Sequence, residues 1–167
     1  GSCSSDLKAK PYALDAQRRA VRDHLRRRGI EADVETQPTQ TQRVRWETDE
    51  RPLVSIIIPN RDQPRLLRRC LRSLRRRTNY RPLEIIVVDN DSSDPRVLDY
   101  YRRLTDTGAA QIVAFPGKFN YSAACNAGAK VAQGELLLFL NNDTEAIDGD
   151  WLSEMVQWAT LDGVGVV

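Results

Sequence analysis

From Pro52 onward the chain alternates short apolar runs with amphipathic stretches. The runs at Leu53–Ile58, Leu83–Val88, Gln111–Phe115 and Leu136–Leu140 predict four strands. They are largely continuous rather than alternating, the pattern of strands covered on both faces. Between them, Pro64–Arg77, a stretch from Asp94-Pro95 to about Leu104, Tyr121–Ala132 and Asp150–Leu161 read as helices. Pro64 suits a first helical turn, and Asp94 and Asp150 stand where N-caps are preferred. Val164–Val167 reads as the start of a fifth strand. Strand–helix alternation of this kind predicts an α/β domain with a mainly parallel sheet.

Residues 1–50 follow a different pattern. Lys10 to Gly29 predicts a helix with a weak stripe of Leu14, Ala20, Val21 and Leu25, stopped by Gly29. Two alternating pieces, Ala32–Glu35 and Arg43–Trp46, predict edge strands around a Gln/Thr cluster at Pro38. The expected organisation is an appendage over residues 1–50 ahead of a main domain over 51–167. The Gly1-Ser2 opening without Met reads as a tag remnant, and an apolar tail stopping at Val167 reads as a cut inside a strand.

Composition narrows the class. Hydrophobic residues make up 41% and charged residues 29%, which excludes wholesale disorder. No apolar run approaches the roughly 20 residues of a membrane-spanning helix, and no apolar leader opens the chain. Cys3, Cys70 and Cys125 are too few and too dispersed for a disulfide framework or a Cys-x-x-Cys zinc site. Reduced thiols and a cytoplasmic setting are expected, with Cys70 and Cys125 as apolar fillers. The single histidine, His24, lies far from the later loops, which argues against Ser-His-Asp hydrolysis. Net charge is only +2, but residues 61–81 hold nine basic groups and one acidic, and residues 82–167 hold five basic and thirteen acidic. On the predicted helix Pro64–Arg77, Leu66, Leu67, Cys70, Leu71 and Leu74 form one face, and Arg65, Arg68, Arg69, Arg72, Arg75 and Arg76 the other. That basic face is either simply solvated or a peripheral contact with an anionic membrane surface. A nucleic-acid partner is not expected, because the acidic C-terminal half opposes one and no recognition motif occurs.

In open parallel sheets ligands bind outside the carboxyl ends of the strands. Three polar loops fall there: Pro59-Asn60-Arg61-Asp62, then Asp89-Asn90-Asp91-Ser92-Ser93-Asp94, then Asn141-Asn142-Asp143. Neither G-x-G-x-x-G nor G-x-x-x-x-G-K-[ST] occurs, so no glycine cradle is available for a phosphate. A divalent cation held by a rim carboxylate would neutralise a pyrophosphate instead, and Asp143 is the candidate. The other acids have plainer readings: Asp94 and Asp150 as caps and Asp91 in an Asx-turn.

Read together, VSIIIPNRDQPRLLRRCLRSL (54–74), EIIVVDNDSSD (84–94), FNYSAACNAGAKVAQGELLLFLNNDTE (119–145) and DWLSEMV (150–156) resemble the nucleotide-binding half of family 2 glycosyltransferases. The resemblance is nearest to bacterial, rhamnosyltransferase-like members that build surface polysaccharides. It implies a glycosyltransferase A-type fold, a Rossmann-like α/β/α sandwich truncated at the C-terminus, with residues 1–50 as a helical lead-in. It implies that Pro59, Asn60 and Arg61 wrap base and ribose, and that Asp89, with Asn90 and Asp91, forms the acidic loop at the base. Asn141, Asn142 and Asp143 match the D-x-D motif, with Asp143 as ligand of Mn²⁺ or Mg²⁺. Two departures stand out: Asn141 replaces the first Asp, and Asp91 stands where Gly is common. Ala124, Gly128 and Ala132, spaced four apart, are expected to pack one helix face closely on the sheet, with Asn126 either near the donor or in a capping role.

The resemblance further implies inverting transfer from a nucleotide-diphosphate sugar to a glycan or lipid-linked acceptor, in the cytoplasm or at the inner membrane face. The catalytic base is expected beyond Val167, so no residue of this chain is assigned that role. The competing readings are a non-catalytic scaffold or binding domain of the same fold, kept open by Asn141, and a phosphoacceptor receiver domain. The receiver reading is weakened by Asn60-Arg61-Asp62 after the first strand and by the absence of Lys after residue 130.

Overall fold

The computed structural model describes residues 11–46, 48 and 50–167 and divides into two compact units, Gly1–Asp49 and Glu50–Val167. The first holds helix α1 (Pro11–Arg27) and strands β1 (Asp33–Thr36) and β2 (Gln42–Arg45). Lys10, the expected helix start, and Cys3 lie outside the described residues. Gly29, at φ +75°, lets the chain turn off the helix, and the Ile30 N–H returns to the Leu25 carbonyl at 3.0 Å. The two short strands pair with each other, antiparallel, with Val34 opposite Val44. They are thus a separate hairpin rather than edges of the main sheet. The Gln37 N–H donates to the Thr41 carbonyl at 2.8 Å, closing a short loop at little entropic cost.

The second unit runs β3 (Val54–Asn60), α2 (Pro64–Arg77), β4 (Leu83–Asp89), α3 (Pro95–Asp106), β5 (Gln111–Ala114), α4 (Tyr121–Ala129), β6 (Leu136–Phe139), α5 (Trp151–Ala159). The strands form one parallel sheet in the order β5-β4-β3-β6. All seven residues of β3 are buried, and successive side chains enter opposite layers. Val54, Ile56 and Ile58 join Leu67, Leu71 and Leu74 of α2, Val97 of α3 and Leu152 of α5 in one core. Ile57, with Ile86 and Val88 of β4, packs on the other side against Ala124 of α4. The architecture is the α/β/α sandwich. Burial on both faces explains why these strands read as unbroken apolar runs.

Of the expected small-residue face, Ala124 and Gly128 lie buried on α4, while Ala132 falls past its end. A Cβ on Gly128 would stand 2.5 Å from Ile57 Cγ2 and 3.0 Å from Val88 Cγ2, so glycine lets this helix lie directly on the sheet. Most expected boundaries shift by one to three residues, and one expected strand is missing. β3 continues through Pro59 to Asn60, because β6 ends at Phe139 opposite Ile57 and Pro59 owes that side no N–H. α4 stops at Ala129, where the Val131 N–H tightens onto the Gly128 carbonyl. Val164–Val167 is not a strand. Gly163 turns the chain at φ +82°, the Val164 N–H bonds the Leu161 carbonyl, and Val166 is 91% exposed. A strand exists only by pairing, and among the described residues none pairs with it.

Candidate active-site cleft

Connectivity fixes where a cleft can form. From β3 the chain moves outward through β4 and β5, then returns to add β6 on the other side of β3. The loops after β3 and β6 therefore diverge, opening a crevice at the switch in strand order. A cleft of about 470 Å³ lies there. Pro59 and Asn60 of β3 and Arg61 just after it line one side, Asn141, Asn142 and Asp143 line it from the segment after β6, and Phe119 and Tyr121 from around the N-terminus of α4. Arg61, Asn141 and Asp143 are exposed.

Buried carboxamides hold the walls together. Asn60 is 3% exposed; its Nδ2 donates to the Tyr101 hydroxyl at 2.8 Å, and its Oδ1 accepts from Asn142 Nδ2 at 2.7 Å. The Tyr101 hydroxyl donates in turn to Asp89 Oδ1 at 3.0 Å. Asp89 is level with Asn60 across the β3–β4 ladder. One chain of hydrogen bonds thus joins the ends of β3 and β4, helix α3 and the Asn141–Asp143 segment. Burial pushes the Tyr101 hydroxyl up to about 12, so it stays protonated and serves as a donor.

The three acidic-loop residues do not line the cleft. Asn90 is enclosed, and its Nδ2 donates to the carbonyls of Phe115 and Gly117 at 2.8 and 2.9 Å. Asp91, at φ +52°, accepts from the Gly117 N–H at 2.6 Å. Both brace the β4–α3 loop against the segment before α4. Asp91 holds the left-handed turn in which glycine would be unstrained. Asp89 reaches the cleft wall only through Tyr101. Nearby, Asp62 accepts from the N–H groups of Ser93 and Asp94 at 2.7 and 2.8 Å. The Asp94 N–H is the main reason its carboxyl lies below the ordinary value. Asp94 caps α3, accepting from the Arg96 N–H at 2.8 Å. Asp150 occupies the N-cap position of α5 without a capping hydrogen bond from its side chain. Asn126 is exposed on α4.

The donor set suits a hard cation only in a shared site. Among the described residues, no three His, Cys, Asp or Glu side chains converge on one point. The cleft offers the Asp143 carboxylate and the Asn141 carboxamide, and Asp143 has no ion pair among the described residues. Mg²⁺ is commonly held by one or two carboxylates, with water and substrate phosphates completing its shell. The residues present fit that arrangement. Arg61 adds a fixed positive charge to the same cleft.

Three residues here carry no expectation from the sequence as part of a site. Phe119 and Tyr121 are exposed aromatics flanking Asn120, which caps α4 by accepting from the Ala123 N–H at 2.9 Å. The readable signal is an aromatic pair around a cap, after a strand and at the ligand edge. Tyr101 reads as core or interface, and nothing in its spacing places its hydroxyl between Asn60 and Asp89.

Fold and cleft define the class, a Rossmann-like domain of glycosyltransferase A-type architecture with its polar crevice at the β3/β6 switch. The glycosyl transferase family 2 profile matches residues 55–167, and the chain belongs to that family. It is 40% identical over 170 residues to the uncharacterized protein y4gI of Sinorhizobium fredii, covering all of this chain and 19% of that protein. It is 42% identical over 156 residues to the O-antigen biosynthesis protein RfbC of Myxococcus xanthus, covering 93% of this chain and 12% of RfbC. The chain thus spans less than a fifth of these relatives. Among solved structures, a mannosyltransferase, PcManGT of Pyrobaculum calidifontis, in complex with GDP-Man and Mn²⁺, superposes with a TM-score of 0.59 at 22% identity, over 93% of this chain and 45% of that one. GalNAc-T7 with UDP, GalNAc and Mn²⁺ gives 0.57 at 20%, over 69% and 22%. These two likenesses establish the fold.

Proposed function

We propose that this domain binds the nucleotide-diphosphate sugar donor of an inverting glycosyltransferase acting in bacterial surface-polysaccharide synthesis. The observation behind the proposal is the β3/β6 cleft, which gathers Asn60, Arg61, Asn141 and Asp143 where no glycine-rich loop exists. The kinship with an O-antigen biosynthesis protein supports the pathway class. The neighbours solved with GDP-Man and Mn²⁺, or with UDP, GalNAc and Mn²⁺, support the ligand class.

In this reading Pro59, Asn60 and Arg61 cover base and ribose, with Phe119 and Tyr121 as an aromatic wall. Asn60 is held rigid by Tyr101 and Asn142, so it meets the nucleoside without first being ordered. Asp89 acts through the same network, orienting it from behind. Arg61 attracts the diphosphate, and Asn141 accepts from ribose or from bound water. A divalent cation held by Asp143 would stabilise the departing nucleoside diphosphate as a Lewis acid. The acceptor is a glycan or lipid-linked saccharide, and its deprotonating base belongs to residues beyond Val167. Peripheral contact at the cytoplasmic membrane face completes the reading. Among the described residues no helix is long and apolar enough to cross a membrane.

Calorimetry of the 167-residue chain with GDP, UDP and dTDP, with and without Mn²⁺, tests this. The expected result is binding of at least one diphosphate, strengthened by Mn²⁺. A folded chain that binds none would return the domain to the scaffold reading, and sugar transfer by this chain alone would refute the placement of the base.

A further inference from the structure

A second cavity, of about 550 Å³, lies between α2 and α3 and shares no lining residue with the donor cleft. Five arginines ring it: Arg68, Arg72 and Arg75 from α2, Arg81 from the turn that follows, and Arg103 from α3. No acidic residue lines it. The Arg68 guanidinium lies over the Tyr100 ring, 4.9 Å from its centroid. Arg81 is anchored at its base, donating to the carbonyls of Thr78 and Tyr80 at 3.0 and 2.6 Å. Arginines elsewhere on these helices do find carboxylates: Arg69 pairs with Glu145, Arg96 with Asp94 and Arg102 with Asp99. Arg68, Arg72, Arg75, Arg81 and Arg103 have no ion pair among the described residues. The five arginines are exposed, and between them the lining is hydrocarbon: Leu71, Leu74 and Leu104 are buried in the core, and Leu83 and Ile85 are half-buried.

Five like charges around one cavity with no carboxylate among its lining residues favour an anion there. The floor adds a second requirement. A free phosphate would satisfy the arginines and leave the half-buried Leu83 and Ile85 wet. A nucleic-acid strand would face the repulsion of the acidic residues that dominate positions 82–167. An amphiphile with a phosphate head and an apolar stem answers both parts. We infer that the α2–α3 cavity seats the phosphate headgroup of an anionic membrane lipid, docking the domain on the bilayer surface. The inference deepens the membrane placement proposed above and depends on that part of it alone, since the donor cleft is separate.

The test is co-sedimentation of the chain with phosphatidylcholine vesicles, with and without phosphatidylglycerol. Arg72→Gln/Arg75→Gln/Arg103→Gln is compared with Arg19→Gln/Arg27→Gln/Arg28→Gln on and just after α1, which removes the same charge elsewhere. The expected result is binding only to phosphatidylglycerol vesicles, about 100-fold weaker in the cavity variant and nearly unchanged in the α1 variant. Urea unfolding, measured in parallel, should be unchanged in both variants, which reports folding independently of nucleotide binding and keeps failure of the donor reading distinct. Equal loss in the two variants would assign the effect to diffuse charge and overturn the inference. So would absence of vesicle binding, or arginine-dependent binding of an oligonucleotide instead of vesicles.

Discussion

The two ends of the parallel sheet are built from the same strands and both bury polar side chains, yet they use them differently. At the amino edge, Ser55 Oγ donates to Glu84 Oε1 at 2.5 Å and accepts from the Gly134 N–H at 2.8 Å, while the Gln133 N–H donates to the same Glu84 oxygen at 2.6 Å. Those groups close on one another and on backbone. At the carboxyl edge, Asn60, Tyr101, Asp89 and Asn142 are as tightly linked. That chain ends beside Arg61, Asn141 and Asp143, whose side chains reach solvent. Hydrogen bonding at one edge is consumed by the fold, and at the other it positions groups left open for a ligand. Substitutions at the two edges should therefore fail in different assays.

The largest effect belongs to the closed edge. A Cβ on Gly134 would meet Ser55 Oγ at 2.5 Å, the Leu53 carbonyl oxygen at 2.6 Å and the Ser55 nitrogen at 2.7 Å. Two of these are backbone atoms of the sheet and cannot rotate away. Gly134→Ala is expected to cost about 3 kcal/mol in urea unfolding, with unchanged nucleotide affinity in the folded fraction. A cost below about 1 kcal/mol would show that this edge is looser than its hydrogen bonds imply.

Tyr101→Phe sits on the border between the two behaviours. It leaves the buried Asn60 Nδ2 without its acceptor and Asp89 without the hydroxyl donor. About 2 kcal/mol of stability should be lost, and, unlike Gly134→Ala, nucleotide affinity should fall as well. Intact affinity would show that Asn60 is held by Asn142 alone and that Asp89 is remote from binding.

These two positions also mark how far the residues alone carry the structure. The strand–helix order, the sandwich, the small-residue face of α4 and the Asp94 cap follow from local pattern, because each is set by burial or by capping within a few residues. The meeting of Asn60, Arg61 and Asp143 in one cleft depends on strand order. Composition and spacing leave that open, and here the family resemblance supplied the expectation. The role of Tyr101 was out of reach, since it depends on how far α3 rolls on the sheet, and a buried tyrosine reads the same wherever its hydroxyl points. Val164–Val167 failed for the opposite reason: its apolar pattern was locally correct, but pairing is not a local property.

Asp143→Asn should be smaller in free energy and confined to function. The side chain is exposed and has no ion pair among the described residues, so stability should change by less than about 0.5 kcal/mol. The Mn²⁺-dependent gain in diphosphate affinity should fall about tenfold, as a site short of one carboxylate already depends on that charge. Retention of the full Mn²⁺ effect would move the metal ligand to another residue and leave Arg61 as the diphosphate contact.

The smallest expected effect is a loosening of the open edge in acid. Asp62 sits in the first rim loop at φ +46° and ties it to the second by accepting from the N–H groups of Ser93 and Asp94. Its folded carboxyl lies below the ordinary 3.8, chiefly through the Asp94 N–H. A depressed carboxyl contributes its full share to the fold above the unfolded value and loses it as pH falls through the folded one. The brace should therefore persist through pH 3.8 and release only at lower pH. Amide exchange followed by NMR would detect this as lost protection at Ser93 and Asp94. The Gly134 amide, bonded to a hydroxyl that does not titrate, should keep its protection over the same range. Release of all three amides together would mean that the two edges unfold as one unit, and the contrast between them would then be one of chemistry and not of stability.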